Sequence, residues 1–106
     1  AAQTHIFLAH SDEGTFDAFA EGLSAADRAK LRAAVDDVRA QGYAVITYPG
    51  GFGNAAAPVF DEHGICATVA LLGATQNVDL SPGSEALREL QRTAAALSER
   101  MGGSAS

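Results

Sequence analysis

Apolar residues recur at intervals of three and four in two long segments of the chain, a spacing typical of one face of an amphipathic helix. The first segment follows Ser24, carries Leu31, Val35 and Val38, and reaches Gly42. A serine hydroxyl can accept from a free helix amide, and glycine adopts the left-handed conformation that ends many helices. The pattern predicts a helix at about residues 24–41.

The second segment predicts a closing helix that ends at Gly102. Its start is predicted at Ser81-Pro82, because proline is tolerated at the first helical position. Its apolar face consists of Leu87, Leu90, Ala94, Leu97 and Met101. Two shorter helices are predicted nearer the start of the chain. One spans residues 1–10, either as a short helix or as the end of a longer one, and the other is capped by Thr15 and carries Phe16, Phe19 and Leu23.

Three strands are predicted between the long helices, at residues 43–48, 54–60 and 65–72. The last segment is apolar on both alternating faces, which is typical of a central strand covered on both sides. Cys66 should be a small buried thiol within it. Pro58 cannot donate to a ladder, so it should lie at a bulge, an edge or a strand end. The compact turn at residues 61–64 predicts an antiparallel hairpin.

Helices, a three-stranded meander and a closing helix together predict an α+β fold with an antiparallel sheet. One domain is expected at residues 1–102, with a disordered tail at 103–106. Three strands are few for a sheet covered on both faces. We therefore expect further sheet or cover from an absent N-terminal segment or from a second subunit.

Composition narrows the function classes. Apolar residues make up 47% of the 106 residues, which excludes a disordered acidic chain. The net charge of −6 argues against binding nucleic acid or an anionic membrane by this chain alone. The longest apolar run is far shorter than the ~20 residues of a membrane span. A single cysteine and no visible signal peptide favour the cytoplasm.

Candidate catalytic and metal-binding residues are sparse. His63 precedes Cys66 by three residues, but a zinc site needs more ligands than this pair. No basic neighbour in sequence would lower the pKa of the thiol. The glycine-rich segment at residues 50–53 precedes a strand and not the helix that a phosphate loop requires. No metal, no cofactor and no catalytic residue is predicted.

An ordered set of motifs resembles the IclR family of bacterial transcription regulators. Residues 31–45 resemble a family helix ending in "RxxGYAV", and residues 55–64 resemble the "AAPVFDxxG" hairpin. The apolar strand after the hairpin ends at Gly73. Residues 97–102 fit the family's closing helix, and residues 5–9 are similar to a helix ending in "LLA".

The resemblance implies a GAF- or profilin-like effector domain with a curved antiparallel sheet of about six strands. It implies that the first strands and a winged helix-turn-helix domain lie outside this chain, and that DNA is bound only through that domain. Family members are dimers or tetramers. Their effectors are small metabolites, often carboxylates such as keto acids or aromatic acids.

The family's effector cleft can be transferred onto this sequence. Backbone amides at a helix start would bind the effector carboxylate, since such amides favour an anion. The implied positions are Ala2 and Gln3 for these amides, and Thr47, Tyr48, Pro58, Ala70 and Leu72 for the strands. Ala70 and Leu72 stand where the family often has serines. A small keto acid would find few hydrogen-bond partners there. A larger or more aromatic effector, or a lost effector, is expected.

Three functions follow, in descending order of support. The first is a ligand-sensing and oligomerising module that acts by shifting a conformational equilibrium. The second is a ligand-free dimerisation module whose cleft is filled by Tyr48, Ala70 and Leu72. The third is a small hydrolase that uses Cys66 with a histidine.

Overall fold

The computed structural model describes residues 2–103. Four helices and three strands follow one another as α1 (Ala2–Ala9), α2 (Glu13–Ala20), α3 (Ala25–Gln41), β1 (Ala44–Tyr48), β2 (Phe52–Asp61), β3 (Gly64–Ala74) and α4 (Glu85–Arg100). The predicted α+β class is confirmed. Residues 104–106 of the predicted tail lie outside the described residues, while the Gly103 amide donates to the Ser98 carbonyl at 2.9 Å.

The sheet is an antiparallel meander in the order β1-β2-β3. The central strand is β2, because β1 pairs with its first half and β3 with its whole length. The prediction that residues 65–72 form a central, covered strand is wrong. In the described part of the chain β3 is an edge strand, and Leu72 is 70% exposed. Apolar composition alone cannot distinguish a strand that helices cover on both faces from a strand at the edge of the sheet.

Alternation along β2 assigns its side chains to two faces of the sheet. Ala56 points to the side where α1, α2 and α3 pack, together with Ile6, Val35 and Val38. We call this side the α1 face. The opposite side, the α4 face, is defined by a second core of Tyr43, Ala55, Ala57, Val59, Leu87, Leu90 and Ala94. Three successive alanines in β2 allow helices to approach the sheet closely on both sides.

Pro58 lies at an edge and beside an irregularity, as predicted. The last pair between β1 and β2 is Ala44 with Ala56, so Pro58 has a partner in β3, Thr68, but none in β1. The register shifts between Val59 and Phe60.

The register shift also corrects the prediction for Cys66. Val59 pairs with Ala67 and Phe60 pairs with Ile65, which leaves Cys66 as the extra residue of the bulge. Its thiol is exposed rather than buried. The Sγ atom donates to the Val59 carbonyl at 3.5 Å.

Two predicted helix starts are wrong. Helix α2 is capped by Asp12, whose carboxylate accepts from the Thr15 amide at 2.8 Å, so Thr15 lies inside the helix. Helix α4 is capped by Ser84, whose hydroxyl accepts from the Leu87 amide. The preceding Gly83 has a φ of +79°, which is incompatible with a helix that runs on from Pro82. By contrast, the predicted α3 begins after Ser24 and ends at Gly42 in the left-handed conformation.

The last turn of α4 does not bury the residues that the sequence predicted. Leu87, Leu90 and Ala94 are buried as predicted, but Leu97 and Met101 are 39% and 54% exposed. Ser98 takes their place in the interior, where its hydroxyl accepts from the Phe60 amide at 2.9 Å and donates to the Ala94 carbonyl at 2.8 Å. A polar pairing with β2 therefore fixes this end of α4.

Candidate functional site

Most of the strand residues predicted from the resemblance lie on one face of the sheet. Tyr48, Ala70 and Leu72 share the α1 face, since their partners in β2 are Phe52, Ala56 and Asn54. Thr47 pairs with Gly53 and therefore projects onto the α4 face. Thr47 is not brought together with the other predicted positions.

Pro58 also belongs to the α1 face but lies at its far end. It is four residues from Asn54 along β2, a distance of about 13 Å. It lines a cavity of about 210 Å³ with residues of α3 and α4, at the edge where β1 has ended. Pro58 is thus separated from Ala70 and Leu72.

The direction of α1 places its first turn over the middle of the α1 face. At its C-terminal end the His10 ring meets the Phe60 ring edge-on with centroids 5.0 Å apart. The Arg39 side chain donates to the Ala9 carbonyl at 3.0 Å at the same end. The helix contacts all three strands and spans about 12 Å. At the other end of the helix, Ala2 packs in one core with Ala44 of β1 and Ala56 of β2.

The positively charged side chains are distributed unevenly around this region. All seven basic residues are outside α1 and the sheet, on α3 (Arg28, Lys30, Arg32, Arg39) and α4 (Arg88, Arg92, Arg100). Because α3 packs on the α1 face, its basic residues lie on the same side of the sheet as α1, and Arg39 reaches the Ala9 carbonyl.

Two buried carboxamide oxygens in this region lack a hydrogen-bond partner. They are Gln3 Oε1, in α1, and Asn54 Oδ1, in β2. Asn54 is only 9% exposed and pairs with Ile46 and Leu72, so its side chain points to the α1 face. A buried polar atom without a partner is costly and calls for an explanation.

The sequence analysis did not single out Asn54. The available signal was its position as the single polar residue in the otherwise apolar segment 54–60. A side chain of this kind in a central strand must find a partner within the fold or in a ligand.

Exposed apolar side chains adjoin the two carboxamides. Tyr48 is 41% exposed, Phe52 is 55% exposed and Leu72 is 70% exposed. Tyr48 pairs with Phe52 at one end of the ladder, and Leu72 lies opposite Asn54. We call Tyr48, Phe52, Ala70 and Leu72 the apolar strip. The α1 face thus combines the start of α1, two unpaired polar groups and an exposed apolar surface.

A different cavity lies on the α4 face. It has a volume of about 370 Å³ and is lined mainly by aliphatic residues, including Val69, Leu71, Val78 and Leu90. The polar side chains at its lining are Glu89 and Thr93, and Glu89 is paired with Arg92 at 2.6 Å. Ala70, one of the predicted site positions, also lines this cavity, and none of the lining side chains has a buried polar atom without a partner.

The described residues do not assemble catalytic chemistry around Cys66. Its thiol contacts a backbone carbonyl, and the nearest histidine in sequence, His63, lies 3.4 Å from Glu62 on an exposed turn. Across residues 2–103, no three His, Cys, Asp or Glu residues are grouped so that they could hold a metal ion. None of the helices in this range is long and apolar enough to cross a membrane.

The sequence matches no protein-family model and no curated protein. Solved structures are similar. An IclR transcriptional regulator from Alicyclobacillus acidocaldarius is 29% identical, with a TM-score of 0.79 over 96% of this chain and 45% of that protein. HmgR from Pseudomonas aeruginosa is 28% identical, with a TM-score of 0.81 over 97% of this chain and 44% of that protein. The chain thus spans about half the length of these proteins.

The inducer-binding domain of the PobR transcription factor from Acinetobacter, in complex with 3-hydroxybenzoic acid, has a TM-score of 0.77. It is 20% identical over 92% of this chain and 65% of that domain, so this similarity shows the fold alone. The predicted GAF-like topology is confirmed by such matches. The similar proteins are transcriptional regulators and not enzymes, in agreement with the prediction. The structure of this chain matches the effector-binding domain of IclR-family transcriptional regulators.

Proposed function

We propose that this chain is the ligand-sensing part of a transcription regulator and binds a small carboxylate on the α1 face. The DNA-binding part would be a winged helix-turn-helix domain outside this chain, acting in the cytoplasm. The observation that supports the proposal is the convergence of the first turn of α1, two unpaired carboxamides and the apolar strip on one side of the sheet. The fold match supports the same function.

Each part of the proposed site has a separate task. The amides of Ala2 and Gln3 would hold the carboxylate, because helix N-termini bind anions. Tyr48, Ala70 and Leu72 would contact the apolar or aromatic body of the effector. Hydroxybenzoic acid, the ligand of the PobR domain, belongs to this chemical class. Pro58 and Thr47 would contribute at most indirectly, since one lies at the far end of the face and the other on the opposite face.

The signal would pass through the helices that carry the site. Helix α1 is tied to α3 by the hydrogen bond from Arg39 to the Ala9 carbonyl. An effector that binds one arrangement of these helices more tightly than another shifts the population towards it. In a homodimer or homotetramer, such a shift would change the spacing of the DNA-binding domains.

A second candidate is a ligand-free dimerisation module. It is supported by the exposed edge of β3, where Leu72, Ala70 and Cys66 are accessible over a strand of 11 residues. Long apolar edge strands readily pair with another chain. Under this candidate the apolar strip would be covered by protein rather than by an effector.

Charge substitutions at Leu72 test the first candidate. Leu72→Lys should tighten and Leu72→Asp should weaken the binding of benzoate, each by about fivefold or more, because a unit charge at short range changes the free energy by about 1 kcal/mol in water. Leu72 is exposed, so both variants should remain folded. Leu97→Lys and Leu97→Asp on α4 are the matched controls. Isothermal titration calorimetry measures the affinities, and equal effects at positions 72 and 97 would contradict the proposed site.

Sedimentation velocity on the same variants separates the two candidates. A ligand-free interface across β3 predicts that both charges at position 72 dissociate the oligomer and that no acid binds. The sensor candidate predicts affinities that change in opposite directions. Saturable thermal stabilisation by the acid is the second readout, since a ligand of the folded state raises Tm as its concentration rises.

A further inference from the structure

Helix α2 makes its polar contacts with other elements through α3. The side chains that α2 buries are Phe16 and Ala20. Across the described residues, no hydrogen bond joins α2 to the sheet. A helix of eight residues is not stable on its own in water, so contacts with the rest of the fold decide whether α2 keeps its conformation.

Two charge pairs connect α2 to α3. Arg32 donates to both oxygens of the Glu13 carboxylate, at 2.8 and 2.6 Å, and Arg28 donates to the Asp17 carboxylate. The two acids are four residues apart on α2 and the two arginines are four residues apart on α3, so each pair of like residues shares one helix face. Both guanidinium groups also lie over the Phe16 ring, 3.8 Å from its centroid for Arg32 and 5.6 Å for Arg28. We call these five residues the α2 clamp.

The charged part of the α2 clamp is accessible to solvent, which makes it sensitive to salt. Its four charged side chains are between 32% and 62% exposed. Ions weaken attraction between exposed charges, since the Debye length falls from ~10 Å at 0.1 M to ~3 Å at 1 M ionic strength. The burial of Phe16 and Ala20 is a hydrophobic contribution and is not screened in this way. The attachment of α2 therefore has a salt-dependent part and a salt-independent part.

We infer that α2 is a conformational device that opens from α3 as a unit while the sheet and α4 stay folded, and that ionic strength sets the fraction of open molecules through the α2 clamp. Opening removes Phe16 from the core that it shares with Ile6 of α1 and Val35 of α3. The packing of α1 against α3 therefore depends on whether the clamp is closed. The connection to α3 leaves room for the motion, because a Cβ atom added at Gly22 would meet nothing within 4 Å beyond its chain neighbours. The device requires no ligand and is independent of the proposed function.

Native-state hydrogen exchange on the 106-residue chain tests the inference, because it reports local opening segment by segment. Between low salt and 1 M NaCl, the protection factors of amides 16–20 should fall about fivefold, as expected for the screening of two exposed charge pairs. Those of amides 55–59 in β2 should not fall. Arg32→Gln should cause a similar fall at low salt and reduce the further effect of NaCl. Arg92→Gln is the matched control, since it removes an exposed charge pair with Glu89 on α4.

Thiol labelling gives a second readout of the same opening. In a Cys66→Ala background, a cysteine at a buried position reacts only when that position becomes accessible. Ala20→Cys reports the opening of α2, and Ala94→Cys, at a buried position of α4, reports unfolding of the whole domain. Position 20 should be labelled at least tenfold faster than position 94, and NaCl should raise the labelling rate at position 20 alone.

Each alternative result would overturn the inference. If amides 16–20 and 55–59 lose protection together, or if positions 20 and 94 are labelled at the same rate, α2 does not open separately from the sheet. If NaCl leaves the protection of α2 unchanged, the charge pairs do not control the opening. If Arg92→Gln acts as strongly on amides 16–20 as Arg32→Gln does, the effect is not specific to the α2 clamp.

Discussion

The two faces of the sheet differ in how the polar groups that they bury are satisfied. On the α4 face, Leu87, Leu90 and Ala94 close over alternate residues of β2 and leave no buried polar atom unpaired among the described residues. On the α1 face, the helices cover part of the sheet, and two carboxamide oxygens lie unpaired beside the apolar strip. The buried side chains of one face are satisfied within the fold, and the other face carries the proposed site.

This difference shows where function is accommodated in a small domain. A face whose groups are all satisfied contributes stability and is expected to respond to substitution mainly through folding. A face with unsatisfied groups gives up stability that a ligand can restore. Substitutions on the two faces should therefore separate folding from binding, and the following predictions test this separation.

The largest effect is expected on the α4 face. Leu87 is 1% exposed at the centre of its core, so Leu87→Ala should lower the free energy of unfolding by about 2–5 kcal/mol through lost burial and a residual cavity. Urea denaturation followed by circular dichroism measures it. Leu97→Ala, at a 39% exposed position of the same helix, is the control. A comparable loss at both positions would contradict the assignment of the buried face.

The next largest effect is expected at Ser98, because its hydroxyl joins α4 to Phe60 of β2, opposite the bulge in β3. Ser98→Ala should cost about 1–3 kcal/mol, since the buried Phe60 amide would lose its acceptor. The same denaturation experiment measures this loss. The exposed Ser81→Ala, whose hydroxyl pairs only with Asp79, should change stability much less. If Ser98→Ala left the free energy of unfolding unchanged, this would show that the Phe60 amide finds another hydrogen-bond partner.

Leu72 should behave in the opposite way to Leu87. Leu72→Ala should change the free energy of unfolding by no more than about 0.5 kcal/mol, because the side chain is 70% exposed. It should nevertheless weaken the binding of an aromatic acid severalfold through the loss of apolar contact. Denaturation and calorimetry on one preparation give both values. A large loss of stability would place Leu72 in the core and make the two faces alike.

The smallest effect concerns pH. Burial, followed by the nearby Arg39 charge, lowers the pKa of His10 below its usual value. The unfolded chain then binds more protons than the folded one, so stability should decline as the pH falls through about 6.5 towards the lowered pKa. Thermal unfolding of His10→Asn between pH 7.5 and 5 should show a weaker decline. His63→Asn, on the exposed turn, serves as the control.

The sequence predicted most of the elements because their signals are local. The α3 helix carries its cap at Ser24, its apolar face and its left-handed glycine within one segment. The hairpin turn at residues 61–64 and the edge position of Pro58 follow from backbone chemistry in the same way. The starts of α2 and α4 were missed because several nearby residues could cap each helix, and tertiary packing selected Asp12 and Ser84.

The candidate site was predictable only in part. The resemblance implied Gln3, Tyr48 and Leu72, and the strand register places the latter two on the α1 face. Adjacent strand residues point to opposite sides of the sheet, and the side that is buried depends on packing. The resemblance therefore could not show that Thr47 and Tyr48 lie on different faces. Asn54 was not predicted, since its unpaired oxygen exists only once α1 lies over β2.

The amino-acid sequence by itself determined the α+β class, the meander, the long helices and the resemblance to IclR regulators. These follow from periodicity, caps and motifs that act over a few residues. Tertiary structure alone decided that β2 rather than β3 is central, that Cys66 is exposed, and that the two faces differ. Such properties depend on which surfaces meet across the fold, and an apolar residue is equally compatible with a core, an edge or a binding site.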